Sequence, residues 1–197
     1  MDGSTLYTVG QIVGIVAIAG SLLIYISNNR DRIIVLKFIT DIIWGINYFC
    51  TGSMTGVAIH AINGVRESIF FFRGKKKWAD WNGWLVVFIM LAMISPAVDW
   101  IKAGHFFWTP VLPAVGCACT VVGLFNKKTA VTKVMALVSG ALWVVYAILI
   151  GNPTALIGNV VAIVSAIIGL VNEHRQAGRQ AEPALIRGTP PPHNENR

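Results

Sequence analysis

Seven apolar runs, about 17 to 21 residues each, alternate with short polar connections at 6–26, 33–51, 54–72, 82–98, 107–125, 132–150 and 154–172. A helix rises about 1.5 Å per residue and the hydrocarbon core of a bilayer is about 30 Å thick, so a run of this length is what one crossing requires. The pattern predicts an all-α membrane protein with seven transmembrane helices. The second, third, fifth and seventh runs contain polar residues or several glycines, which blurs their ends but not their number.

Composition strengthens this reading. The chain has 197 residues, is 55% hydrophobic and 13% charged, and has a mean hydropathy of +0.64. A soluble domain carries roughly 25% charged residues and has no use for repeated runs of this length. The N-terminal stretch MDGSTLYTVGQ has Asp2 and no early lysine or arginine, so the first run is expected to be a retained span and not a cleaved signal.

Charge placement gives a direction. Arg30, Arg32 and Lys37 flank the first connection, Arg73, Lys75, Lys76 and Lys77 the third, and Lys127, Lys128 and Lys133 the fifth, while Arg175, Arg179, Arg187 and Arg197 follow the last run. The alternate connections contain only Lys102. Basic residues stay on the cytoplasmic side, so the N-terminus is expected outside and the C-terminus in the cytoplasm of a bacterial inner membrane. The same clustering at span ends accounts for the net charge of +7 without a nucleic acid. Trp78, Trp81 and Trp84 on one side, and Trp100 and Trp108 on the other, stand where interfacial aromatics belong. The polar, proline-rich segment 176–197 is expected to be a disordered cytoplasmic tail, leaving 1–175 as the membrane domain.

Shifting the chain on itself so that Trp143 lies on Trp44 also places Gly151 on Gly52 and Thr154 on Thr55, a repeated W-x7-G-x2-T. The same shift lays spans one to three on spans five to seven and basic connection on basic connection. Overall identity is low; the coincidence of spans and loop types carries the repeat. The fold expected is therefore 3+1+3: repeat one over 6–73, a linking helix over 82–98 and repeat two over 107–172. One intervening span gives both repeats the same orientation, as for parallel repeats about an axis along the membrane normal.

The stretches GSMTGVAIHAINGVRESIFFFRGKK, LPAVGCACTVVGLFNKK and LWVVYAILIGNPTALIGN resemble the YgjV-type family of bacterial inner-membrane proteins over about residues 8–175. That family is similar in layout to the MtN3, SWEET and PQ-loop group of small transporters, so the resemblance implies the 3+1+3 fold. Those relatives carry a proline, often followed by glutamine or asparagine, in the first span of each repeat. Here Pro110 and Pro113 occupy span five as candidate hinges, but Gln11 and Gly14 stand at the aligned places in span one, and no Pro-Gln dipeptide occurs. Sugar transport is not implied.

Candidate chemistry concentrates on span three. A charge at bilayer depth costs about 2.5–3.5 kcal/mol on insertion scales, so it is paired or lines a wet cavity. At 100° per residue Gly56, His60, Asn63 and Glu67 fall on one stripe flanked by Arg66. The antiparallel span two brings Asp41 to the depth of Asn63 and Arg66, and Lys37 to the depth of Glu67, so these four charges form a candidate polar network. Two roles are open to Arg66 and Glu67, locking helices two and three together or serving a substrate. Asn63 and Asn159, with His60 at the place equivalent to Asn159, are candidate solute-binding groups. Trp44 and Trp143, equivalent and mid-span, are candidates for stacking on a solute or for filling the core. The small residues Gly158, Ala162, Ser165, Ala166 and Gly169 permit close helix contact in span seven.

Cys50, Cys117 and Cys119 read as small apolar filler, and His60, His105, His174 and His193 have no ligand spacing, so no metal, cofactor or catalytic set is expected. The expected function is a small-solute transporter or facilitator working by alternating access, and not an enzyme. Its partners would be the lipid bilayer, a small polar solute and, in a homo-oligomer, further copies of itself. The alternative is a membrane scaffold that recruits a cytoplasmic partner through RGKKK and the tail.

Overall fold

The computed structural model describes residues 3–186, with side chains described for 4–176, and every regular element among them is helical. The helices are α1 (Gly3–Ile24), α2 (Arg30–Cys50), α3 (Met54–Phe71), α4 (Gly83–Ile94), α5 (Ala97–Ala103), α6 (Val111–Phe125), α7 (Thr129–Leu149) and α8 (Pro153–Ile186), with a 3-10 turn at Lys77–Asp80 before α4. By length and composition five segments suffice to cross a membrane: α1, α2, α4 with α5, α7, and α8 as far as Gln176. Helix α3 carries five buried polar residues, Thr55, His60, Asn63, Arg66 and Glu67, and α6 is only 15 residues long, so neither reaches that standard alone.

Local sequence accounts for the boundaries. Asn29 caps α2 by accepting from Arg32 N at 3.2 Å, and Ser53 caps α3 by accepting from Gly56 N at 3.2 Å. Asn152 does the same for α8 through Ala155 N at 3.2 Å, followed by Pro153 at the first helical position. Pro96 divides the predicted linking helix 82–98 into α4 and α5, and α5 runs on to Ala103 before Gly104 takes the left-handed conformation. Pro110 and Pro113 stand at the start of α6, where a proline removes no intrahelical hydrogen bond; they begin the helix and do not bend it. At the other end of the chain the backbone remains helical to Ile186, past the predicted span end at 172, and the tail residues 187–197 lie outside the described residues.

The α2–α3 and α7–α8 turns are one turn used twice. Thr51 N donates to Asn47 O and Ser53 N to Tyr48 O, both at 3.0 Å; Ile150 N donates to Tyr146 O and Asn152 N to Ala147 O, also at 3.0 Å. Gly52 and Gly151 take φ of 83° and 65°, with open space where a Cβ would stand. Gly52→Ala and Gly151→Ala should therefore each cost about 1–2 kcal/mol from backbone strain alone. Thermal unfolding in detergent, with closely similar losses for both variants, checks this equivalence.

Helix packing closes a ring. Helix α1 lies against α2, α2 against α3, α3 against α6, α6 against α7, α7 against α8, and α8 against α1. Exchanging α1 with α6, α2 with α7 and α3 with α8 maps this set of neighbours onto itself. Side-chain bonds across the ring obey the same exchange: Ser53 and Tyr146 oxygens are 2.7 Å apart, and Asn152 Nδ2 donates to Asn47 Oδ1 at 2.9 Å. Helix α4 stands outside the ring against α6 and α3.

Burial is inverted relative to a soluble protein. Arg66, Glu67 and Lys133 are fully buried, while Ile12, Ile15, Val16, Ile42, Ile46, Phe49 and Ile148 are exposed on the outer faces of the helices. An exposed apolar surface of this extent suits contact with lipid, and the buried charges require partners inside the ring.

Candidate functional site

The ring encloses a cavity of about 80 Å³, and all six of its helices supply lining residues. From α1 comes Ser21, from α2 Lys37, Thr40, Asp41, Trp44 and Tyr48, from α3 His60 and Asn63, from α6 Thr120, from α7 Ser139 and Trp143, and from α8 Asn159. This is room for a few waters or a solute of a few heavy atoms, with polar groups converging from both halves of the ring.

Asp41 is the centre of the polar wall. Its Oδ1 lies 2.6 Å from His60 Nδ1 and accepts from Asn63 Nδ2 at 3.4 Å, and its Oδ2 lies 3.5 Å from Lys37 Nζ. Lys37 Nζ is also 3.7 Å from Glu67 Oε1, so one ammonium faces two carboxylates. Arg66 Nη2 donates to Glu67 Oε1 at 2.9 Å, while Nη1 donates to Thr120 Oγ1 at 3.1 Å and reaches Cys117 Sγ at 3.7 Å. The Cys117 thiol in turn donates to Asn63 Oδ1 at 3.2 Å, which joins α6 to the α2–α3 cluster. The expected approaches of Asp41 to Asn63 and of Lys37 to Glu67 are present, but the shortest contact, from Asp41 to His60, is one that matching depths did not single out.

The aromatic wall is equally specific. Tyr48 stacks on His60 with centroids 5.2 Å apart, and Trp143 lies 5.4 Å from the same imidazole and 5.6 Å from Tyr48. Trp44 Nε1 donates to Ser21 Oγ at 3.2 Å, and its ring passes over Gly158, where a Cβ would collide with it. Asn159 Nδ2 is turned back on Ala155 O at 2.8 Å. All five predicted solute-binding residues therefore line one cavity, as do Lys37 and Asp41, whereas Arg66 and Glu67 stand behind its wall. Among the described residues, no group of three or more histidine, cysteine, aspartate or glutamate side chains is placed to hold a metal ion.

Both ends of the cavity are bridged. At the end away from the basic connections, Asn47, fully buried, donates to Gly10 O at 2.7 Å and to Thr154 Oγ1 at 3.2 Å beside its bond from Asn152. At the basic end Arg30 Nη2 donates to both Phe70 O and Leu124 O, at 3.2 and 3.3 Å, tying the C-terminal ends of α3 and α6. Arg73 donates to Phe125 O at 2.6 Å and lies over the Phe125 ring. Lys133 reaches Asn28 Oδ1 at 2.6 Å, Gly169 O at 3.0 Å and Glu173 Oε2 at 2.9 Å.

Sequence reading missed several of these. Lys133 counts there as a loop-flanking cation, Cys117 as filler, and Asn47 receives no role. Asn47 carried a usable signal, since the repeat shift sets Asn152 against Ser53 and Tyr146 against Asn47, four polar side chains that bond in two equivalent pairs.

No curated protein and no solved structure is significantly similar to the chain. A family model described as a bacterial inner membrane protein, Imp-YgjV, matches residues 8–177. That match reaches all six helices of the ring and takes in every residue of the cavity wall, and the chain belongs to the Imp-YgjV family of bacterial inner membrane proteins.

Proposed function

We propose that this protein is a transporter or facilitator for a small polar solute, working by alternating access between two three-helix units, α1–α3 and α6–α8. The observation that carries the reading is the central cavity, whose wall is built by both units. The units form a 3+1+3 arrangement with α4 and α5 as the link. Helices α3 and α6 complete seven crossings inside the protein, where their polar residues and short length are tolerated. Basic connections lie in the cytoplasm, with the N-terminus outside, following the positive-inside bias.

The pairs Asn47–Asn152 and Ser53–Tyr146 act as the outer gate, and Arg30, Arg73 and Lys133 act as the inner one. Rocking one unit against the other breaks one set while the other holds. The Pro96 break between α4 and α5 lets the link follow that motion. Asn63 and Asn159 hold the solute by hydrogen bonds, with Trp44, Trp143 and Tyr48 as its apolar walls. No step is enzymatic.

The test is a flux screen in liposomes over small carboxylates, amino acids and sugars. With the size of the cavity, flux is expected for the smallest solutes, and Asn63→Ala and Asn159→Ala should each reduce it about tenfold, the loss of roughly one hydrogen bond. Absence of flux for every solute, together with full rescue of a deletion phenotype by both variants, excludes the cavity as a transport site. Loss of that rescue on removing 176–197 alone would instead favour the scaffold.

A further inference from the structure

Two oxygens in the polar network have no hydrogen-bond partner although they are fully buried: Asp41 Oδ2 and Glu67 Oε2. The partner oxygen of each carboxyl is occupied, Asp41 Oδ1 by His60 and Asn63, and Glu67 Oε1 by Arg66. The two carboxyl groups, one on α2 and one on α3, converge on the same Lys37 ammonium. An ionised pair so placed has two bare acceptors and mutual repulsion. At hydrocarbon depth a buried acceptor without a donor is expensive. Lys37 faces both groups but only at 3.5 and 3.7 Å, long for a charge-assisted hydrogen bond, and does not satisfy the bare oxygens. A single proton does so, turning two orphan acceptors into one O–H···O bond, the arrangement in which neighbouring carboxyls share a proton.

We propose that Asp41 and Glu67 form a proton-binding carboxyl pair that opens to the central cavity through Asp41 and His60, and that the proton is the coupling ion of transport. The groups facing the pair are Lys37 on the same helix, Tyr25 from the turn after α1, His60 and Arg66 from α3, and Cys117 from α6. Ionised, the pair is balanced by Lys37 and Arg66; with the shared proton the cluster gains one positive charge. That change lets the site respond to a proton gradient. His60 and Asp41 line the cavity while Glu67 does not, so the proton enters and leaves on the His60 side. No bond other than the O–H bonds is made or broken. The coupling half of the proposal rests on the transport reading; proton binding by the pair does not.

Infrared spectroscopy of the full chain in liposomes tests it directly. Near neutral pH exposed carboxyls are ionised. The expected result is one protonated-carboxyl C=O band that shifts in D2O, disappears in Glu67→Gln and moves in Asp41→Asn. Glutamine at 67 places an N–H donor where the proton stood, so folding should survive; if it does not, the wild-type and Asp41→Asn spectra still decide. Absence of the band, or a band unaltered in the variants, overturns proton binding whatever the flux screen finds. Where flux is found, an imposed pH gradient should raise solute accumulation about tenfold in wild type and not in Glu67→Gln. Accumulation indifferent to the gradient in wild type overturns the coupling.

Discussion

Arg66→Ala is expected to lower stability by about 3–5 kcal/mol, among the largest losses open to a single substitution in this chain. Arg66 is fully buried and its guanidinium supports Glu67, Thr120 and Cys117 at once. Alanine leaves the Glu67 carboxylate facing Lys37 at 3.7 Å as its nearest cation. It also empties the volume of one of the largest side chains in the ring, adding a cavity term to the electrostatic one. Lysine is no rescue, because a point charge cannot serve an acceptor on α3 and two on α6 together. Replacing both Arg66 and Glu67 by leucine should recover most of the loss, since the damage comes from breaking a buried pair rather than from lacking one. Thermal unfolding in detergent over Arg66→Leu, Glu67→Leu and the double-leucine variant measures the coupling; an additive cycle would show that the pair is not energetically linked.

Gly169→Ala is expected to cost about 3–5 kcal/mol, the sum of an overpacking term and a lost charge-assisted hydrogen bond. A Cβ at Gly169 would run into the Tyr25 carbonyl, which is backbone and cannot rotate aside, and would sit 3.1 Å from Lys133 Cε. Helix α8 would have to leave the end of α1, breaking the bond from Ser165 Oγ to Leu22 O at 2.7 Å and the bond from Lys133 to Gly169 O at 3.0 Å. Gly64→Ala is the control on the outer face: its Cβ would meet only Phe38 at 3.8 Å, and relief of glycine's backbone entropy should leave stability within about 1 kcal/mol, in the stabilising direction. Equal effects of the two substitutions would mean that the α1–α8 contact is not the close one described.

These two sites show how far the one-dimensional pattern carries. Gly169 falls on a stripe of small residues legible as a helix contact, yet only the packed structure says that its nearest neighbour is the Tyr25 carbonyl, with Lys133 beside it. Asn63, Asn159, His60, Trp44 and Trp143 could be gathered from depth and from the repeat, because helical rise and the shift between repeats are both properties of the sequence. Pairing could not. Asp41 stands at matching depth to both Asn63 and Arg66, and its rotation about α2 brings it to Asn63 and, more closely, to His60. Pro110 and Pro113 lie within the apolar run of span five, but helix α6 begins only at Val111, so their position relative to its hydrogen bonds was invisible until the boundary was known.

The sequence by itself determined the membrane setting, the helical class, the recurrence of the turn at Gly52 and Gly151 and the family, because these depend on run length, on local backbone chemistry and on motifs contiguous in the chain. The tertiary structure alone decided that six helices close a ring around one cavity. It also decided that Cys117 and Lys133 are partners in buried networks, and that two carboxyl groups from different helices converge on Lys37, each with one oxygen left without a partner. Such contacts depend on the azimuth of each helix about its axis and on the distance between axes. Neither is encoded in the order of residues along one helix; both follow from packing all six together.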